Sequence, residues 1–174
     1  GKVTSLASGS TSVTIYSKDG NSKKTVRVKV AEGTIRTTTK GNVKGTKSSD
    51  AASLIWYGIP YGASTGGTNR WKAPQPVSAW SGTWNARIPK SGAACYGDGT
   101  NYQGTEDCLY VNIYRPNTTE KNLPVMVYLH GGGNASGTAN TDFSKFAVAA
   151  KAVVVSVEYR LGAFGYLSHP ALQT

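Results

Sequence analysis

A run of apolar residues, Val125-Met126-Val127-Tyr128-Leu129, stops abruptly at His130-Gly131-Gly132-Gly133. Its length and β-branched content predict a strand buried on both faces of a sheet. Three consecutive glycines let the chain turn sharply and bring backbone N–H groups close to a ligand. Further on, Phe143, Phe146, Ala147 and Ala150 share one helical face within 143–151, and Val153 to Val157 is another apolar run. Strand, helix and strand over 125–157 predict a βαβ unit, hence a right-handed crossover and parallel pairing. The chain is therefore expected to be an α/β protein, with the glycine turn at the C-terminal end of a strand, where open α/β sheets place their sites.

Upstream, Leu109 to Tyr114 reads as a strand with Val111 and Ile113 on one face, and Arg115-Pro116-Asn117-Thr118 as a turn. Ser53 to Tyr57 is apolar and aromatic, and Gly58-Ile59-Pro60-Tyr61 closes it. Gly41-Asn42-Val43-Lys44-Gly45 reads as a turn leading into a short strand, and residues 32–40 as a linker or a first strand. Trp71, Trp80 and Trp84 lie in a segment punctuated by proline and glycine, where packing beneath a long loop is the expected role. At the N-terminus, Ser12 to Tyr16 and Thr25 to Val30 alternate on either side of the turn cluster Lys18-Asp19-Gly20-Asn21-Ser22. One hairpin of that size is not stable alone in water.

The net charge of +10 raises the question of nucleic acid. The lysines of the N-terminal part alternate with Thr, Val and Ser as on a solvated strand face, and there is no basic helix stripe or RNA-binding aromatic motif. No apolar run reaches transmembrane length. Residues 1–4 lack the apolar core of a signal peptide, so a secreted protein of this sequence would have its signal removed or upstream. Cys95 and Cys108 have no Cys/His cluster around them, which disfavours zinc and favours a disulfide. Such a bridge would close a loop of about 14 residues, contribute ~3 kcal/mol on chain-entropy grounds, and point to an oxidising compartment.

A more specific signal is Gly104-Thr105-Glu106-Asp107-Cys108-Leu109-Tyr110-Val111-Asn112-Ile113-Tyr114. This stretch resembles a signature of the type-B carboxylesterases, the family that includes the cholinesterases. Gly58-Ile59-Pro60-Tyr61, Arg70-Trp71 with Pro74, Trp80-Ser81-Gly82, the glycine turn and Val154 to Leu167 follow the same family's order. The resemblance spans roughly residues 41–170. It implies the N-terminal part of an α/β-hydrolase fold over residues 41–174. Residues 1–31 resemble the second half of a bacterial immunoglobulin-like repeat, so the hairpin would come from an Ig-like β-sandwich.

Carried onto these residues, the resemblance implies that Cys95 and Cys108 form the family's first disulfide. Arg70 would pair with Glu106 in a buried structural brace, and Arg160 would belong to another ion pair. Gly132 and Gly133 would donate backbone N–H groups to an oxyanion, with Gly131 shaping the turn and His130 orienting it. Where the family has an aromatic residue after the third glycine, this chain has Asn134, which implies a more polar pocket.

Ester hydrolysis by this fold needs a serine nucleophile, a histidine base, a carboxylate and oxyanion donors. The Gly-x-Ser-x-Gly spacing occurs at Gly62-Ala63-Ser64-Thr65-Gly66, ahead of the glycine turn and not after it, and His130 and His169 have no fitting partner motif. In this fold the triad follows the oxyanion turn in the order Ser, Asp/Glu, His, so it is expected beyond Thr174. The expected activity is that of a serine carboxylesterase needing no metal or organic cofactor, inactive without the rest of its domain. The expected partner is a small-molecule or polysaccharide-linked ester, without nucleic acid or a membrane span, in a secreted or cell-surface setting. A non-catalytic adhesion or binding module on the same fold is the alternative. If the chain ended at Thr174, Val153 to Val157 would be an edge with nothing beside it.

Overall fold

The computed structural model describes residues 33–90, 95 and 104–172, together with the backbone of two strands, 9–16 and 23–30. The chain divides into two compact units, Gly1–Gly33 with Thr118–Lys121, and Thr34–Asn117 with Asn122–Thr174. In the first, β1 (Gly9–Tyr16) and β2 (Lys23–Val30) pair antiparallel in one register from Gly9↔Val30 to Tyr16↔Lys23. The turn expected at 18–22 and the facing of Val26, Val28 and Val30 lie outside what is described.

The second unit is built on two sheets. In the smaller, β3 (Ile35–Thr38) pairs antiparallel with β4 (Gly41–Lys44), and β4 pairs parallel with β7 (Thr83–Asn85). Residues 35–38 thus take the strand alternative, and 41–44 are a strand instead of the expected turn. The larger sheet also contains β5 (Thr46–Lys47), β6 (Ser53–Pro60), β8 (Tyr110–Pro116), β9 (Val125–Leu129) and β10 (Val153–Val157), in the order β5-β6-β8-β10-β9. Only β9 and β10 pair parallel; the other neighbours are antiparallel, so the sheet is mixed. The β6–β8 register slips between Trp56 and Ile59, which lets β6 continue through Gly58 to Pro60.

Alternation along β6 feeds two cores. Leu54 and Trp56 pack with Val43 and Ala86 beneath Trp80 and Trp84. On the other side, Ile55 packs with Tyr114, Val154 and Ala147 of helix α1 (Ser144–Ala150), flanked by Tyr57, Tyr128 and Phe143. The helix begins where the Asp142 carboxylate accepts the Ser144 N–H at 2.8 Å, and it ends in the left-handed residue Lys151.

Two sequence expectations about strand burial are corrected. β10 is no open edge: it sits between β8 and β9. β9 is the edge, and it is not buried on both faces; Val125 and Val127 are 63% and 64% exposed. The reason is the placement of α1, which packs mainly on β6 and β8 and leaves β9 uncovered.

Candidate functional site

The glycine turn leaves the C-terminal end of β9 and returns to α1 through residues 130–143. Its first turn is closed by Gly132, whose carbonyl oxygen accepts the N–H of Ala135 at 3.0 Å and of Ser136 at 3.1 Å. Gly132 has φ +126°, and a Cβ there would stand 2.0 Å from the Ser136 carbonyl oxygen. Gly133 follows at φ +60°. With the Gly132 carbonyl turned inward, the amides of Gly132 and Gly133 take part in no hydrogen bond among the described residues. Two adjacent unpaired N–H groups on an exposed turn make a place for an anion or a developing oxyanion. Asn134 follows in a left-handed conformation, φ +59°. It borders a shallow hollow with Gly133, Ala135, Gly162, Ala163 and Tyr166.

Behind the turn stands the connection from β10 to α2 (Gly162–Tyr166). Gly162 N–H donates to the Asn134 carbonyl at 2.6 Å. Tyr159 stacks on the His130 ring, centroids 4.4 Å apart, and its hydroxyl donates to the His130 carbonyl. The Glu158 carboxylate is buried. One oxygen accepts the Thr138 hydroxyl at 2.6 Å and the Ala139 N–H at 2.8 Å, while the other lies 3.7 Å from His130 Nε2. Burial pushes the Glu158 carboxyl up from its ordinary value, against the lowering effect of the Thr138 and Ala139 hydrogen bonds and of His130.

The return of the turn is fixed from the sheet. Ser156 Oγ and Asn112 Nδ2 both donate to the Ala139 carbonyl, at 2.9 and 3.1 Å. Asn112 Oδ1 accepts the Gly58 N–H at 2.9 Å, linking the β6 irregularity to the turn.

The remaining residues singled out in the sequence form the support of this segment. Cys95 and Cys108 are joined in a disulfide and pack with Leu109 and Leu161; the Cys95 carbonyl accepts the Leu161 N–H at 3.1 Å. Arg70 grips Glu106 with two parallel bonds of 2.6 Å, and this donation holds the Glu106 carboxyl below its ordinary range. The pair is not buried as the sequence suggested: the Arg70 side chain is 42% exposed. It lies on the surface of the irregular segment after β6, with the Trp71 and Phe164 ring centroids 5.7 and 5.8 Å from the Arg70 guanidinium. Trp71 donates to the Ala163 carbonyl, and Arg160 donates to the Lys72 carbonyl. His169 lies in an exposed turn and accepts the Ala171 N–H.

Glu158, Thr138 and Tyr159 are not among the residues that the sequence singles out. The available signal was an acidic residue directly after the apolar run Val153 to Val157, at the strand end nearest the glycine turn.

A family model described as "Carboxylesterase family" matches residues 30–173. The para-nitrobenzyl esterase of Bacillus subtilis (strain 168) is 40% identical over 142 residues, covering 76% of this chain and 29% of that protein. A protein of Sus scrofa named thyroglobulin is 32% identical over 145 residues, covering 78% of this chain and 5% of that one. Among solved structures, a PNB esterase superposes with a TM-score of 0.73 at 38% identity, over 80% of this chain and 30% of that chain. This chain thus spans less than a third of the relatives it matches, and its fold is a portion of the α/β-hydrolase fold. With the match running through both sheets, the turn and its support, the chain belongs to the carboxylesterase family.

Proposed function

We propose that these residues are the oxyanion-binding portion of a serine carboxylesterase. The observation that carries this is the pair of unengaged amides at Gly132 and Gly133, turned outward by a turn that folds its own carbonyl inward. In the reaction a serine would add to the ester carbonyl, and the oxygen's developing negative charge would be met by those N–H groups. Loss of one such donor costs about 2.7–4 kcal/mol of transition-state stabilisation. Gly131 gives the turn its entry, and Asn134 gives the adjoining hollow a polar wall. The disulfide and the Arg70–Glu106 pair brace the segment that backs the turn.

The nucleophile, the base and its carboxylate are supplied by protein beyond these 174 residues, so this portion alone hydrolyses nothing. Its partner is the remainder of the hydrolase domain, which spans residues 41–174 here. Residues 1–31 would belong to an Ig-like module and 32–40 to a linker or first strand, an organisation that suits a secreted or cell-surface enzyme. The substrate class would be a small-molecule or polysaccharide-linked ester. A second reading, a binding module without hydrolysis, is favoured by the relative that is named thyroglobulin and not esterase.

The test is hydrolysis of para-nitrophenyl acetate and butyrate by the 174-residue chain and by the intact natural protein, with the mass of each species measured under denaturing conditions. Turnover by the intact protein and none by the shorter chain is expected. An intact protein that carries a serine elbow and still turns over neither ester would defeat the enzyme reading.

A further inference from the structure

Two buried polar atoms of this unit face each other and touch nothing else. His130 Nε2 and Glu158 Oε2 have no hydrogen-bond partner, and they lie 3.7 Å apart between side chains that are 4% and 3% exposed. Buried polar atoms are almost always paired, so this couple needs an explanation. The other ring nitrogen supplies one. His130 Nδ1 lies 2.9 Å from the Gly131 carbonyl oxygen, which can only accept, so Nδ1 carries hydrogen. In a neutral ring Nε2 is then a bare lone pair aimed at a carboxylate oxygen, and two acceptors would repel. One proton between them removes the conflict, whether it resides on the ring or on the carboxyl.

The geometry points to a single proton carried by the His130 Nε2–Glu158 Oε2 pair, a buried contact at 3.7 Å that ties the two ends of the glycine turn to each other and makes both side chains positioning residues for the Gly132 and Gly133 amides. His130 is the first residue of the turn. The second Glu158 oxygen already holds Thr138 and Ala139, where the turn closes. A single carboxylate therefore reaches entry and exit together. Burial, which favours the protonated carboxyl, works in the same direction. The other titratable or charged groups at the pair are Tyr61, whose hydroxyl donates to the Glu158 carbonyl at 2.7 Å, Tyr159 stacked on the ring, and Arg160. None of these is a carboxylate or a histidine able to take the proton's place. The function attached to this pair rests on the oxyanion reading above; the pair itself does not.

The experiment uses the intact natural protein, labelled with 15N in histidine or in glycine, with the His130→Gln variant assigning the ring signals. Expected are a protonated Nδ1 and an Nε2 signal that responds to the Glu158 carboxyl. In Glu158→Gln the new amide donates to Nε2, so the ring signal moves to a bare, hydrogen-bonded nitrogen while the Gly132 and Gly133 amide signals stay in place. In Glu158→Ala those amide signals shift. A bare Nδ1 in the unaltered protein, a ring signal indifferent to Glu158→Gln, or glycine amides unmoved by Glu158→Ala overturns the proposal. Ester hydrolysis measured in parallel reads the other question: on the oxyanion reading kcat falls about tenfold in Glu158→Ala with KM little changed. Unchanged kcat with shifted amides defeats the oxyanion reading alone.

Discussion

The hydroxyl of Tyr159 donates to the carbonyl oxygen of His130 at 2.5 Å while the two rings lie nearly parallel, 17° apart. One side chain thus holds both the backbone and the ring of the residue that starts the glycine turn. Tyr159→Phe keeps the stacking and removes only the donor. It should lower stability by about 1 kcal/mol, a typical net hydrogen-bond contribution. Urea unfolding of the intact protein reads this, and an unchanged midpoint would show that water replaces the bond.

Adjacent glycines of the turn should respond differently to alanine. A Cβ on Gly133 meets nothing within 4 Å, so Gly133→Ala carries only the strain of φ +60°, about 1–2 kcal/mol. A Cβ on Gly132 would collide with the Ser136 carbonyl, which closes the same turn. Gly132→Ala should therefore be the more harmful to hydrolysis, by about tenfold or more in kcat/KM relative to Gly133→Ala. Steady-state kinetics on para-nitrophenyl butyrate decide the order.

Glu106 and Glu158 should impose opposite pH dependences on stability. Glu106 is held low by Arg70, so the unfolded chain binds its proton more readily; its contribution is present above about pH 4.5 and is lost as pH falls through the folded value. Arg70→Ala should then flatten the acid side of the stability profile, modestly, because the pair is half exposed. Glu158 is pushed up, so the folded state holds the proton more tightly and stability declines as pH rises from about 4.5 through the folded value. Glu158→Gln should gain relative to the unaltered protein over that interval. Urea midpoints from about pH 4 to 8 check both signs.

The open flank of β9 should make the 174-residue chain self-associate when it is prepared alone. Val125, Met126, Val127 and Leu129 are exposed along one unpaired strand edge, an invitation to edge-to-edge pairing. Val127→Lys should reduce that association. Sedimentation velocity at several concentrations measures it, and a monomer for the unaltered chain would contradict the expectation.

The segment from Leu109 onward was legible because its patterns are local. A five-residue apolar run, a helical face and a second run specify the parallel neighbours β9 and β10 with little help from elsewhere. The sheet order was not legible, because β6 and β8 meet across some fifty intervening residues, and no local pattern encodes that meeting. Strand β7 is three residues long and exists through its pairing with β4. Apolar content alone misread β9, since composition cannot say whether a neighbouring layer is present. Glu158 has no sequence motif of its own; it is the packing of Ala139 and His130 around it that makes this carboxylate part of the turn.

Asn112 has a consequence of a different kind. Its amide oxygen receives Gly58 and its amide nitrogen serves Ala139, so both ends are committed and the side chain can face only one way. Aspartate has the same shape but no donor. Conversion of this one amide to an acid, by mutation or by slow chemical ageing, would set oxygen against oxygen at Ala139 in a buried site. The turn would then be vulnerable to a lesion that changes neither the volume nor the outline of the residue that causes it.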